Sequence, residues 1–295
     1  MPDRELAFYL DPSRPDLAEH LEFLNSRGVT AVGTDGFGGH DAAQGRAVGG
    51  ALREAGMRVV SAHGTSAMAH PTGDPTQLHD AHRVTLDYAA AWGAEHVVLH
   101  FRTLQIPWRE GLGWAEADHI AQVGLEAYDA QVVEFLEWLC GEAAERNVGI
   151  ALENLPIQHQ FSYRVEEIAA MIDGVGADNL GICLDAGHVH CSGLDLAEAI
   201  LSCGSRLATL HLHDNFGGGD PRLTIHATDR HLVPGLGTID WRAAIRALDG
   251  VDYDGPAVFE GVRMPPSYEA ESQPAIDLTI TNWRAFEALA EADGE

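Results

Sequence analysis

Short, uninterrupted apolar runs alternate along the chain with longer segments in which apolar residues recur every three or four positions. Leu6 to Leu10 (LAFYL) is the first run; after Asp11-Pro12, Leu17, Leu21 and Leu24 recur at helical spacing up to Gly28. The cycle returns with TAVGTD (30–35) and a helix over about 41–55, with RVVSAHG (58–64) and a helix over about 75–92, and then with HVVLHF (96–101). A long helix is expected from about Glu116 to Arg146, with a break near Gly124. GIALEN (149–154) precedes VEEIAAMI, LGICLDAG (180–187) precedes DLAEAIL, LATLHLHD (207–214) precedes IDWRAAIRAL, and PAVFEGV (256–262) precedes a helix over about 275–291.

Eight strand-then-helix units, with strands apolar on both faces, predict an α/β fold: a closed (β/α)8 TIM barrel of parallel strands, a single domain over 1–295. A doubly wound open sheet would carry GxGxxG after its first strand, where this chain has DPSRPD. The segment TLQIPWREGLGW (103–114), with Pro107, Trp108 and Trp114, is longer and more aromatic than a tight turn and is expected to close over a ligand.

Length and composition narrow the chemistry. At 295 residues without a composition break the chain can bury one large core. No apolar run approaches the roughly eighteen residues a membrane helix needs, and no charged leader precedes an apolar stretch, so a soluble, cytoplasmic protein with no membrane partner is expected. Cys140, Cys183, Cys191 and Cys203 lack CxxC spacing and read as buried free thiols. Forty-five acidic against eighteen basic residues give a formal charge of −27, which disfavours nucleic acid and suits a small-molecule partner. Every basic residue apart from histidine is arginine. Without lysine there is no Schiff-base or pyridoxal phosphate chemistry and no P-loop.

The remaining polar signal is positional. His63, His100, Glu153, Asn154, Asp185, His211, His213 and Glu260 all fall at the last residues of expected strands. In a parallel barrel those ends meet at one mouth. Carboxylates and imidazoles gathered there without lysine carry a large repulsion and desolvation cost unless a divalent cation sits among them, and the donor set suits Mn²⁺, Zn²⁺, Co²⁺, Fe²⁺ or Mg²⁺ without choosing. His190, His213 and His226 read as supporting or surface residues. The glycine-rich stretches GTDGFGG (33–39) and FGGGD (216–220), and Arg102, Arg109, Arg222, Arg230 and Arg263 beyond strand ends, could meet an anionic group, so a substrate phosphate is left open.

The motifs ALEN, CLDAGH, LHLHDN, DRHLVPGLGTIDW and VFEG, over about residues 58–262, resemble the xylose isomerase-like superfamily of barrels. That superfamily includes sugar and sugar-phosphate isomerases and epimerases, inosose dehydratases and endonuclease IV DNA-repair enzymes. The resemblance implies that Glu153, Asp185, His211 and Glu260 bind one divalent metal, with Glu153 and Glu260 as catalytic base and acid. It implies that His188, in the DxxH position, contacts substrate in isomerases or a further metal in the endonucleases. Asp229 and His231 match a DxH motif; His63 and His100 match histidines that hold another zinc in the endonucleases. His63, His100, His188, Asn154 and Arg263 are carried as substrate contacts, and His63, His100, His188, Asp229 and His231 as residues for a further metal.

One departure is Pro234-Gly235-Leu236-Gly237, where such families often read PGEG. The function implied is metal-dependent isomerisation or epimerisation of a keto sugar, inosose or sugar phosphate through an enediolate. Dehydration of a related keto-polyol is a variant. A three-zinc abasic-site endonuclease is the rival, opposed by the negative charge. Homo-oligomerisation is left open.

Overall fold

Each apolar run becomes a strand buried almost from end to end, because one face meets the helices and the other lines the barrel interior. The computed structural model describes residues 3–34, 42–64, 75–100, 120–157, 162–218, 228–267 and 269–292. The strands are β1 (Leu6–Leu10), β2 (Ala31–Thr34), β3 (Arg58–His63), β4 (His96–Leu99), β5 (Gly149–Glu153), β6 (Leu180–Asp185), β7 (Leu207–His211) and β8 (Ala257–Phe259). All pair in parallel, in the order β7-β6-β5-β4-β3-β2-β1-β8. A parallel bridge between Leu212 and Phe259 brings the chain after β7 against β8, so the barrel is nearly closed.

Around it run α1 (Leu17–Ser26), α2 (Ala42–Glu54), α3 (Pro75–Trp92), α4 (Leu125–Ala144), α5 (Val165–Val175), α6 (Ala186–Cys191), α7 (Leu196–Cys203), α8 (Trp241–Gly250) and α9 (Gln273–Ala292). The expected break at Gly124 is present: its φ of +85° is open to glycine at little cost, and α4 starts afresh at the next residue. Among the described residues no helix is long and apolar enough to cross a membrane. All four cysteines are buried and free.

Alternation along β1 sorts the core into two layers. Phe8 and Leu10 join the outer core beneath the helices, whereas Ala7 and Tyr9 pack inside the barrel with Ala31, Val60 and Val258. Val98, Ala151 and Cys183 form a second interior group. Small interior residues leave space that the Tyr9 ring occupies: a Cβ on Gly33 would lie 2.2 Å from Tyr9 Cε2.

Two local expectations change. The strands stop short of their apolar runs, so His100, Asn154 and Glu260 lie one residue past β4, β5 and β8, and His213 two past β7. The chain does not stay extended to Gly187 either; it turns into α6 at once, because Asp185 Oδ1 accepts the His188 backbone N–H at 2.6 Å and caps the new helix. The 103–114 segment, most of the 33–39 glycine stretch, residues 219–220, Arg102, Arg109, Arg222 and His226 lie outside the described residues.

Candidate metal centre

At the C-terminal ends of the strands His63, Glu153, His211 and Glu260 converge, each offering one donor atom within 4.8 Å of the others. Glu153 and Glu260 stand on either side of His211, whose Nδ1 is 3.3 Å from Glu153 Oε1 and 3.5 Å from Glu260 Oε2. The other oxygen of each glutamate takes a histidine nearer the rim: Glu260 Oε1 lies 3.0 Å from His63 Nε2, and Glu153 Oε2 lies 3.1 Å from His100 Nε2. Glu153 is 1% exposed, Glu260 9% and His211 0%. Carboxylates so deeply buried need opposite charge beside them. Burial alone would raise their proton affinity, but the imidazoles of His211 and His100 hold Glu153, and those of His211 and His63 hold Glu260, well below the usual carboxylate range.

Asp185 belongs to an adjoining cluster. It ends β6 in register with His211 on β7. Its Oδ2 is 3.1 Å from His213 Nε2 and 3.5 Å from His188 Nδ1, and that same Nδ1 is 3.4 Å from Glu153 Oε1, so His188 links the two clusters. Capping places His188 one helical turn beyond Asp185 and on the same side of α6. Next to them is Asp229, 3.3 Å from His188 Nε2, 3.1 Å from His231 Nε2 and 3.6 Å from His213 Nδ1. His213 and His231 stack with centroids 3.8 Å apart. Burial works against protonation of His188 and His231, yet the carboxylates of Asp185 and Asp229 lift His188 well above the usual histidine value, and Asp229 lifts His231 to about 9.

Three imidazoles share one arrangement. His211 spends Nε2 on the Tyr9 hydroxyl at 2.7 Å, His188 spends Nδ1 on the Asn154 carbonyl at 2.9 Å, and His231 spends Nδ1 on the Glu260 carbonyl at 3.0 Å. The remaining nitrogen of each faces carboxylate oxygens. Metal-binding histidines are held in this way, one nitrogen on an outer partner and one lone pair inward. His211 Nδ1 is fully buried and among the described residues has no hydrogen-bond partner. A divalent cation fits these residues: the carboxylates keep positive charge on the imidazoles, and a cation supplies that charge in place of their protons.

The other expected site residues divide by position. Asn154 is fully buried, with Nδ2 donating to the Asp185 carbonyl at 3.0 Å and Oδ1 accepting the Asp185 N–H at 2.7 Å, so it ties the end of β5 to the end of β6. Arg263 is exposed at the rim, where its backbone N–H donates to the His231 carbonyl at 2.7 Å. Arg230 lies over the ring of Phe216. His190 bonds Thr238 Oγ1 at 2.8 Å, away from both clusters. Sequence reasoning gave no role to Tyr9, and it placed His213 among supporting residues, whereas His213 stands between two aspartates. The one signal for Tyr9 was a phenolic hydroxyl inside an otherwise apolar run.

Fold and site together define a parallel (β/α)8 barrel with a carboxylate–imidazole centre at its mouth. The chain belongs to the xylose isomerase-like TIM barrel family, whose model matches residues 21–280. The D-psicose 3-epimerase of Enterocloster bolteae is 30% identical over 132 residues, 44% of this chain and 39% of that protein. The inosose isomerase of Bacillus velezensis is 25% identical over 143 residues, 48% of this chain and 50% of that one. The chain thus spans half or less of the length of these curated relatives. The solved structure of an L-ribulose 3-epimerase superposes with a TM-score of 0.72 at 14% identity, covering 99% of this chain and 97% of that one. The 3-keto-D-glucoside 4-epimerase of E. coli does so with 0.68 at 17%, covering 95% and 100%. These two likenesses are of fold.

Proposed function

We propose that this chain is a cytoplasmic, divalent-metal-dependent isomerase or epimerase acting on a keto sugar, inosose or sugar phosphate through an enediolate. The carrying observation is the pair of buried glutamates flanking the unpartnered Nδ1 of His211. Glu153, His211 and Glu260 would hold the ion, with Asp185 as fourth ligand: it ends β6 in register with His211, and reaching the ion would draw its Oδ2 away from His213 and His188. A bound divalent ion would supply Lewis acidity toward a carbonyl and its neighbouring hydroxyl, which acidifies the hydrogen on the carbon that bears the hydroxyl.

Glu153 and Glu260 enter the mouth from different strands and are carboxylates at rest, the state that accepts a proton. One takes the carbon-bound proton at an Oε atom; the other, after receiving a proton from solvent by way of the imidazole on its outer oxygen, returns it from the opposite side. His63 and His100 orient the outer oxygens of those carboxylates and, being partly exposed, meet substrate hydroxyls. His188 and Arg263 are further substrate contacts, and Asn154 acts by fixing Asp185. Dehydration of a related keto-polyol uses the same pair of carboxylates. Relatives named as sugar epimerases and an inosose isomerase support the substrate class.

A second reading has its own observation, the three imidazoles around Asp229 beside Asp185. This cluster would seat a further divalent ion and complete the set that the resemblance to abasic-site endonucleases implies.

The test is solvent deuterium uptake into a panel of ketoses and inososes, alongside metal analysis and an abasic-DNA cleavage assay. Exchange that disappears in Glu260→Gln is the expected result, with a loss of at least about a hundredfold, the scale of one acid–base group. Full activity in that variant removes Glu260 from the chemistry. Abasic-DNA cleavage without sugar exchange replaces this reading with the second.

A further inference from the structure

Resting on that reading, we propose that Tyr9 is a positioning residue for the metal centre: its buried hydroxyl decides which nitrogen of His211 is free for the cation. Tyr9 lies on β1 and His211 on β7, with β8 between them, so their contact crosses the barrel interior. Most side chains around Tyr9 inside the barrel are too short to make that crossing, being Ala7, Ala31, Val60 and Val258. The absence of a side chain at Gly33 leaves the slot in which the Tyr9 ring lies. The ring stands edge-on to His211, with centroids 4.9 Å apart and an angle of 81°. Tyr9 is 0% exposed and lies beneath the mouth.

The distances admit two directions for these hydrogen bonds, and the cation needs one of them. Tyr9 Oη is 2.7 Å from His211 Nε2 and 3.2 Å from Ser61 Oγ. With the phenolic proton on Ser61 Oγ, the Tyr9 oxygen accepts from Nε2–H, and the lone pair of the neutral ring is then on Nδ1, between Glu153 and Glu260. With the phenolic proton on Nε2, the neutral ring would carry its own proton on Nδ1, and the donor that a cation needs would be lost. Ser61, fully buried beside Tyr9 with Oγ 3.2 Å from Oη, offers the acceptor for the phenolic proton that the first arrangement requires. Packing alone would be served equally well by phenylalanine.

The test compares the full-length protein with Tyr9→Phe, which removes one oxygen and keeps the ring, and with Ser61→Ala. Mn²⁺ is titrated into metal-free protein and the free ion is read by electron paramagnetic resonance; thermal unfolding of the metal-free forms is followed in parallel. The dissociation constant should rise about 10- to 100-fold in Tyr9→Phe, the range for losing an outer partner of a metal-bound histidine. Ser61→Ala should shift it the same way by less. Mn²⁺ binding in Tyr9→Phe as tight as in the parent, with or without a lower melting temperature, overturns the assignment. A parent protein that binds no Mn²⁺, Co²⁺ or Zn²⁺ overturns the metal reading itself and this inference with it.

Discussion

A buried imidazole needs a partner for each nitrogen, and the histidines here meet that need unequally. His211, His188 and His231 at the mouth each divide their nitrogens between an outer partner and a carboxylate. His20 on α1 is 3% exposed, and among the described residues its Nε2 has no partner. Burial, helped by the nearby Arg14 charge, lowers its pKa to about 4. The unfolded chain therefore takes up a proton near pH 6.5 that the folded chain refuses, so the stability His20 contributes is complete above that pH and is lost as pH falls toward 4. Between pH 7.5 and 5 the loss is at most about 2 kcal/mol. His20→Phe should unfold in urea with that much less dependence on pH over this range; an unchanged slope would show that His20 does not carry it.

Asp214, three residues past β7, shows what holds the mouth in place. Its Oδ1 accepts N–H groups from Asn215 at 2.8 Å and Ile239 at 3.2 Å, and its Oδ2 accepts Gly235 N–H at 2.8 Å and Trp241 Nε1–H at 3.0 Å. Asn215 adds bonds to Asp229 Oδ1 at 3.2 Å and from Arg230 N–H at 2.5 Å. The segment after β7 thereby fixes the stretch carrying Asp229 and His231. This also explains why Leu236 in place of a glutamate leaves the turn intact: the required features are the N–H of Gly235 and the bare Cα of Gly237, where a Cβ would come 2.2 Å from Asp214 Oδ1. Asp214→Asn keeps the shape but turns an NH2 toward buried donors. Chemical denaturation should show a loss of about 2–4 kcal/mol, with metal affinity at the mouth weakened. A loss below about 0.5 kcal/mol, the level of an ordinary surface change, would mean these bonds are not stabilising. The strands were legible as apolar runs because both their faces are buried. Helix α6 was not, since six residues are too few for a 3.6-residue period and its start depends on Asp185 turning back onto His188 N–H.

The charge of −27 acts on the entire molecule. Self-repulsion opposes the compact state, and salt screens it. Raising NaCl from 10 to 200 mM should increase the melting temperature by a few degrees, about what 1 kcal/mol produces in a chain this long; no change or a decrease would show that paired charges already offset the repulsion. Eight parallel strands carry their last residues to one rim, so barrel and mouth follow from the period of the apolar runs and from which residues end them. The partition at that rim has a different origin. His63 joins Glu153, His211 and Glu260, Asp185 turns toward His188 and His213, and Tyr9 reaches His211 across the interior, because these pairings depend on short separations, 2.7 Å for Tyr9–His211, 3.0 Å for His63–Glu260 and 3.1 Å for His213–Asp185, set by barrel closure, side-chain reach and the missing side chain at Gly33. Spacing along a chain tells which residues share an end of the barrel, and packing in three dimensions selects the partner that each one faces there.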